Sequence, residues 1–355
     1  MQSLLDVFAS PDRFRQEFES GLLGLLEAHE GLGVFILVQA NAAFDSRCQS
    51  LLDGPLADRF ERLAGRYRTA LAEGLAIADS DDDLMVFLKL LAVGRDGLED
   101  TRRRRAGSWE LQFNPMRSFR PKRMANARVE GISRPFDRDG FNFNKPFLRK
   151  EVFWSGSLLG RELELLFNKF PFAPLHGLLV PDREAEQPQL LIERDHHFVW
   201  AVIDRLGETL PGVSLGYNAY GAFASVNHLH FQMFLREQPL PLESAHWKHN
   251  GGDTPYPCPC EVYTDDARAW TRIADLHDKA ITYNAIYRPG RLYILPRRQQ
   301  GHYQHSPWTQ GFSFYEMAGV VTTFGRTDFD ALEEEAITRE LGCVGNAGRC
   351  QTRAE

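Results

Sequence analysis

Three positions in this chain are spaced to do chemistry together: His228, His230 and Gln232, within Asn227-His228-Leu229-His230-Phe231-Gln232-Met233-Phe234. Alternate residues of a β-strand share a face, so the spacing predicts His228, His230, Gln232 and Phe234 on one side. Leu229, Phe231 and Met233 then face the other side, where an apolar core can take them. Two imidazoles and an amide would stand in a row, roughly 7 Å between alternate positions. Such a row suits a metal ion held by His-x-His or nucleophilic attack by one imidazole on phosphorus. It equally suits a polar strand face whose histidines are satisfied by hydrogen bonds. The row by itself does not choose.

The flanking sequence does. The run from Leu215 to Gln232, with Gly216, Asn218, Gly221, Ser225 and Asn227 ahead of the histidines, resembles the active-site segment of the GDP-hexose phosphorylases. These enzymes belong to the histidine-triad superfamily, with galactose-1-phosphate uridylyltransferase as a relative. Further motifs follow in the family's order: Gln112-Phe113-Asn114-Pro115-Met116-Arg117, Lys122-Arg123, Pro135-Phe136-Asp137, Phe141-Asn142-Phe143-Asn144-Lys145, and Asn168 through His176 to Pro181. The resemblance spans roughly residues 85 to 340.

The resemblance implies phosphorolysis: GDP-hexose plus phosphate gives hexose 1-phosphate plus GDP. His230 is the expected nucleophile, attacking the α-phosphorus to form a covalent nucleotidyl-histidine that inorganic phosphate then resolves. His228 would orient the site, and a carbonyl on the other ring nitrogen of His230 would fix its tautomer. Gln232 departs from a three-histidine row. It cannot protonate a leaving group, but a phosphate leaves as a stable anion, and an amide can steady a nonbridging oxygen. The candidate nucleotide and phosphate contacts are Asn114, Arg117, Arg123, Asn144, Lys145, Asn168, Lys169, Asn218, Ser225 and Asn227. The scheme requires no cofactor and no catalytic metal. Rivals are a dinucleoside polyphosphate phosphorylase, a hexose-1-phosphate nucleotidyltransferase, and a nucleotide-binding regulatory protein without turnover.

Other clusters carry weaker readings. Arg102 to Arg105 lacks the interleaved aromatics of a nucleic-acid surface and reads as a solvated helix end. His246, His249, Cys258 and Cys260 invite a structural zinc, but Cys-x-Cys is not the usual knuckle spacing. The acidic residues Asp79 to Asp83 suit a helix cap and first turn better than a metal. His176 reads as a hydrogen-bonded structural residue. His196 and His197 are adjacent, so one is expected to face inward.

The elements that must position the row come next. Residues 1–105 read as a mostly helical region, from the apolar spacing of Phe14, Phe18, Leu22 and Leu26 and of Leu56 through Ile77. Residues 106–355 read as the phosphorylase body: an α+β, histidine-triad-like antiparallel sheet with flanking helices, expected as two half-barrels. Leu163 to Pro181 is predicted as a strand, a Pro-rich connection and a second strand at Leu175–Val180, with further strands at Ile281–Arg288 and Arg291–Pro296 and helices at Phe198–Leu206 and Asp328–Glu340. With 355 residues, 43% of them hydrophobic, and a net charge of −7, the composition is that of a globular chain without a basic nucleic-acid surface. No run approaches the ~20 apolar residues of a membrane span, and the five scattered cysteines do not form a secreted disulfide framework. A cytoplasmic enzyme, with the helical region free to pack on the body or to form a homodimer contact, is the expectation.

Overall fold

The computed structural model describes residues 6–120 and 128–345. Lys122 and Arg123, two of the basic candidates, lie outside the described residues.

The helical region opens with α1 (Pro11–Ala28), capped by the Ser10 side chain on Arg13 N–H. Its Phe14, Phe18, Leu22, Leu25 and Leu26 keep one buried stripe. In α2 (Leu32–Ala42) every residue but Gly33 is buried, so an amphipathic pattern gives it no signature. The chain continues through α3 (Ser46–Glu73), capped by Asp45 and closed by left-handed Gly74, to α4 (Asp81–Val93). Ser80 caps α4, and Asp81, Asp82 and Asp83 occupy its first turn, where the helix dipole favours negative charge.

The arginine run is a strand, not a helix end: β1 (Arg102–Ala106) pairs antiparallel with β2 (Trp109–Phe113). Regular structure of the body therefore begins at Arg102, ahead of the expected boundary at 105. The reason is cross-strand pairing. Arg103 lies over the Phe44 ring and Arg104 over the Phe329 ring, so the guanidiniums cover aromatic faces and need no helix.

After α5 (Pro115–Phe119) come β3 (Val152–Leu158), β4 (Arg161–Phe167), β5 (Gly177–Pro181), α6 (Glu193–Gly207), β6 (Val213–Asn218) and β7 (Phe231–Leu235). Then follow β8 (Glu261–Tyr263), α7 (Asp266–Asp278), β9 (Tyr283–Arg288), β10 (Arg291–Pro296), α8 (Phe314–Met317), β11 (Val320–Thr323), α9 (Arg326–Ala331) and α10 (Glu334–Gly345). The fold is α+β. Strands expected as two halves are joined through the antiparallel β6–β9 pairing into one eight-stranded sheet, ordered β3-β4-β5-β7-β6-β9-β10-β8. A smaller sheet, β1-β2-β11, carries the parallel pair β2–β11. No helix among the described residues is long and apolar enough to cross a membrane.

Alternation along the strands sorts the core into layers. One face of the large sheet presents Leu163, Leu165, Leu215, Tyr217, Phe231, Met233, Tyr287 and Leu292 to a cluster shared with α1–α4, α6 and α7. The other face holds two separate clusters. Phe234, Ile286, Tyr293 and Leu295 pack with β2, β11, α8 and α10; Leu166 and Val180 pack with Phe143 and Leu148. Between these two patches the face is polar, and the histidine row sits there.

Candidate active site

The row does not begin inside a strand. β7 starts at Phe231, and His228 and His230 lie on its approach. Their backbone partners explain this. Leu229 N–H donates to the Gln187 carbonyl at 2.8 Å. The Gln189 side chain takes both backbone groups of His230: its Oε1 accepts from His230 N–H at 3.0 Å, and its Nε2 donates to His230 O at 3.2 Å. One amide thus supplies what a neighbouring strand would have supplied, and the ladder starts one residue later. Sidedness still follows the expected alternation: Leu229, Phe231 and Met233 enter the core, while His228 and His230 are buried polar residues on the other side.

The tautomers follow from the partners. His230 Nδ1 lies 2.8 Å from the His228 carbonyl. A carbonyl only accepts, so Nδ1 carries the proton and Nε2 keeps its lone pair. His228 has the opposite arrangement. Its Nδ1 accepts from Phe143 N–H at 3.2 Å, so Nε2 bears the proton; the Arg183 backbone is near the ring, but Nε2 makes no regular hydrogen bond among the described residues. Burial holds both rings neutral, pushing each pKa down to about 4, with the neighbouring His230 adding to the effect at His228. One imidazole is therefore a nucleophile in form and the other a hydrogen-bond donor.

Aromatic rings wall the pair. Phe143 packs against both imidazoles, at 5.4 and 5.1 Å between centroids, and Phe136 meets His228 edge-on at 5.0 Å. The segment from Phe136 to Lys145 is a series of turns rather than an extended piece. Asn142 ties it by donating to the carbonyls of Asp137, Arg138 and Gly140. Arg183 anchors Phe143 from below through its carbonyl, at 3.3 Å, and pairs with Glu164.

Several sequence candidates are spent on structure instead. Asn114 caps α5 by accepting from Arg117 N–H and donates to the Pro171 carbonyl. Lys145 donates to the Arg138 and Asp139 carbonyls. Lys169 pairs with Asp83 at 2.6 Å. The Asn168 side-chain oxygen accepts from Phe170 N–H. Asn218 accepts from the Asn284 side chain and from Phe314 N–H. Asn227 holds Gln189 N–H and the Arg134 and Pro135 carbonyls. These six shape the walls; their groups bonded in this way are not offered to a ligand. The Asn144 amide and the exposed Ser225 hydroxyl have no side-chain partner among the described residues.

Arg117 is different. Its guanidinium donates to the Phe170 carbonyl at 2.8 Å and stacks over Phe172, and its Nε has no partner. It has no carboxylate in ion-pair range among the described residues. Burial, with Arg120 nearby, lowers its pKa to about 10, which leaves it charged at neutral pH. Arg117 is half-buried, with Glu316 as a nearby carboxylate outside ion-pair range, and a partly desolvated cation of this kind favours an anionic ligand.

The zinc reading finds no converging ligands. His249 Nε2 is bonded to the Leu242 carbonyl, His246 Nδ1 to Ser244 Oγ, and Cys258 is buried against α10. Among the described residues the one grouping of metal-type atoms is Glu19, Asp45 and Cys48, and Arg15 already bridges its two carboxylates. The acidic run is the helix cap expected. His196 is the inward member of its pair, bonded to Tyr287 and to the Asp266 carbonyl. A cavity of ≈ 580 Å³ lies beside β4 and β5, lined by Glu162, Glu164, Asp182 and Glu184 against the single cation Arg183. That lining repels phosphates, and the histidine row is not part of it.

Sequence reasoning missed Gln189, Phe143 N–H and Arg183, and gave His176 no task. His176 is fully buried and bonds the Gln232 amide at 3.0 Å. A histidine inside the short apolar run Leu175–Val180 was the one signal for it.

Residues 107–234 match the family described as GDPGP1-like, N-terminal domain. GDP-L-galactose phosphorylase 1 of Arabidopsis thaliana is 31% identical over 217 residues, covering 56% of this chain and 41% of that protein. GDP-D-glucose phosphorylase 1 of Danio rerio is 33% identical over 135 residues, 38% of each. The Homo sapiens protein of the same name is 33% identical over 125 residues, 33% of this chain and 32% of its own length. The chain thus spans about two fifths or less of the length of these relatives. Among solved structures, yeast Ap4A phosphorylase Apa2 aligns with TM-score 0.49 and 15% identity, over 77% of this chain and 98% of that one.

Proposed function

We propose that this chain, related to the GDP-hexose phosphorylases through its GDPGP1-like N-terminal domain, catalyses phosphorolysis of a GDP-hexose through a covalent nucleotidyl-histidine on His230. The observation that carries the reading is the His230 tautomer: Nδ1–H bonded to the His228 carbonyl at 2.8 Å, with Nε2 unprotonated. The Nε2 lone pair attacks the α-phosphorus. The bond from that phosphorus to the bridging oxygen breaks, and hexose 1-phosphate leaves with the oxygen and the β-phosphorus. An oxygen of inorganic phosphate then attacks the same phosphorus, the P–N bond breaks, and GDP departs with His230 restored. Each half is an in-line displacement: a stable phosphate anion leaves in the first, and in the second the P–N electron pair returns to Nε2 of a neutral imidazole whose Nδ1 proton is already in place, so no general acid is required.

The surrounding groups support the charge balance. The His228 Nε2–H and the Gln232 amide are donors for nonbridging oxygens whose charge grows in each transition state. Arg117, with its Nε free and no carboxylate in ion-pair range among the described residues, suits an incoming or departing phosphate. Phe136 and Phe143 keep water from the phosphorus–nitrogen bond.

The test is product analysis on GDP-hexoses, other nucleoside diphosphate sugars and dinucleoside polyphosphates, with and without phosphate. Phosphate-dependent release of GDP and hexose 1-phosphate from one GDP-hexose is expected. Nucleoside monophosphate formed without phosphate would mean hydrolysis, and ADP with ATP from diadenosine tetraphosphate would mean the dinucleoside rival. Binding without turnover of any substrate would mean a regulatory protein.

A further inference from the structure

His176 stands outside the reaction as drawn, yet its hydrogen bonds decide which way Gln232 points. It sits just before β5. Leu178 pairs directly with Gln232 in the β5–β7 ladder, and His176, two residues earlier, occupies the diagonal position on the same sheet face. Asn168 N–H donates to the His176 carbonyl at 3.2 Å, extending the β4–β5 pairing to this residue and fixing its backbone. The ring packs edge-on against Phe172 at 4.3 Å. No part of the residue is exposed.

The tautomer is determined. Phe172 N–H donates to His176 Nδ1 at 3.3 Å, so Nδ1 is the acceptor and the proton of the neutral ring is on Nε2. That Nε2–H donates to Gln232 Oε1 at 3.0 Å. The contact to Asn168 Nδ2, at 3.4 Å, pairs two donors and contributes no competing bond. Charge reinforces the arrangement: burial and the nearby Arg117 cation push the His176 pKa down to about 3, so the ring is neutral through the working range. The Gln232 amide consequently has one orientation. Turned over, its NH₂ would face an N–H, and His176 has no lone pair left to accept it. With Oε1 occupied, both amide hydrogens are free, and no partner takes them among the described residues.

We infer that His176 is a positioning residue that reads the Phe172 backbone N–H and, through its ring, locks the Gln232 carboxamide with its two N–H donors toward the phosphate being transferred. This rests on the proposed role of Gln232 and goes beyond it. The amide becomes a donor-only group, fixed before substrate arrives, so no reorientation is needed as charge builds on the nonbridging oxygen. An unfixed glutamine would offer its carbonyl to the phosphate about as often as its NH₂, and oxygen against oxygen is repulsive.

The experiment is a double-mutant cycle of His176→Leu and Gln232→Ala, with kcat and KM for the active GDP-hexose as the main readout. His176→Leu is expected to lower kcat about 10- to 100-fold with little change in KM in the otherwise native protein. In the Gln232→Ala background the same change is expected to cost less than about twofold, because the group it acts through is gone. His176→Gln, which restores a donor at a similar reach, should recover most of the loss. Equal losses in both backgrounds, or full activity of His176→Leu, would overturn the inference. Should His176→Leu fail to fold, His176→Met, which also lacks a donor, completes the cycle with Gln232→Ala by the same logic. Long-range ¹H–¹⁵N spectra of the native protein test the wiring without turnover: His176 is expected as the Nε2–H tautomer across about pH 5 to 8, and an Nδ1–H tautomer would overturn it. A protein that turns over no GDP-hexose but shows that tautomer would sink the phosphorylase reading and leave the hydrogen-bond relay standing.

Discussion

Two stretches of this chain carry paired histidines with further polar or sulfur groups close by, and the fold treats them oppositely. At His228, His230 and Gln232, each side chain has one polar atom fixed by a neighbour: Phe143 N–H, the His228 carbonyl and the His176 ring. The opposite atoms lie on the same sheet face, between two apolar clusters. At His246, His249, Cys258 and Cys260 the groups diverge. His249 gives its Nε2 to a carbonyl, His246 is exposed, and Cys258 packs against Gly345. Paired histidines stand in both places. What marks the first as a candidate site is that its side chains alternate along one strand and its approach, whereas those of the second lie on separate turns and loops.

The largest test of that contrast is His230→Ala. Loss of the nucleophile should lower kcat/KM by about 10⁴-fold or more, while circular dichroism and the unfolding midpoint report an intact fold. Activity within tenfold of the native level would move the chemistry elsewhere and erase the distinction between the two regions.

Next comes the support rather than the reacting group. Gln189→Leu leaves the His230 N–H and carbonyl buried without partners, and the Asn218 carbonyl loses its donor as well. Buried unsatisfied groups cost about 1–3 kcal/mol each, so urea unfolding should show a loss of roughly 2–5 kcal/mol and a fall in kcat. A loss below about 0.5 kcal/mol, the usual range of a surface change, would mean that the approach to β7 holds its shape without the amide.

A smaller effect is expected from pH. His228 and His230 protonate near 4 rather than near the ordinary 6.5, so the acid limb of kcat/KM should fall near pH 4. Stability has the same sign. Below about 6.5 the unfolded chain takes up protons that these rings refuse in the fold, as do His176 and His196 with values of about 3 and 4. Stability therefore stands in full above about 6.5 and is lost as pH falls towards 4 and 3. An acid limb at 6.5 would show a solvated row.

The row was legible in the sequence because a period of two survives even where regular strand has not begun: Leu229 and Phe231 are in the core and His228 and His230 are not. The helices of the N-terminal region were legible where a stripe was buried, as in α1, and silent where nothing was exposed, as in α2. The contacts were the weak part. Asn114, Lys145 and Lys169 have the right chemistry for a nucleotide, but a sequence does not reveal that a cap, a turn and an ion pair to Asp83 have already consumed them. Gln189 lies 41 residues from His230, in a segment with no periodicity, and local patterns carry no information about such a pairing. Arg102 to Arg105 misled for the reverse reason, since a charge run reads as solvated until its aromatic partners, Phe44 and Phe329, are brought from elsewhere.

The smallest effect belongs to the second stretch. The double substitution His246→Ala with Cys260→Ser removes two of the four groups that a zinc ion would need. If those groups only cover the surface around Trp247 and β8, unfolding free energy should change by less than about 1 kcal/mol, and chelator should leave the unfolding midpoint of the native protein where it was. A structural zinc behaves otherwise, because its binding energy is folding energy: chelation would lower the midpoint sharply and the double variant would lose metal by elemental analysis. His246 Nδ1 already has Ser244 Oγ and His249 Nε2 the Leu242 carbonyl. Metal binding would have to break the second of these bonds and draw Cys258 out of its packing against α10. A chelator-sensitive midpoint would therefore show that this stretch converges after all, by a rearrangement of those partners, and that a shared strand face is not what separates the two regions.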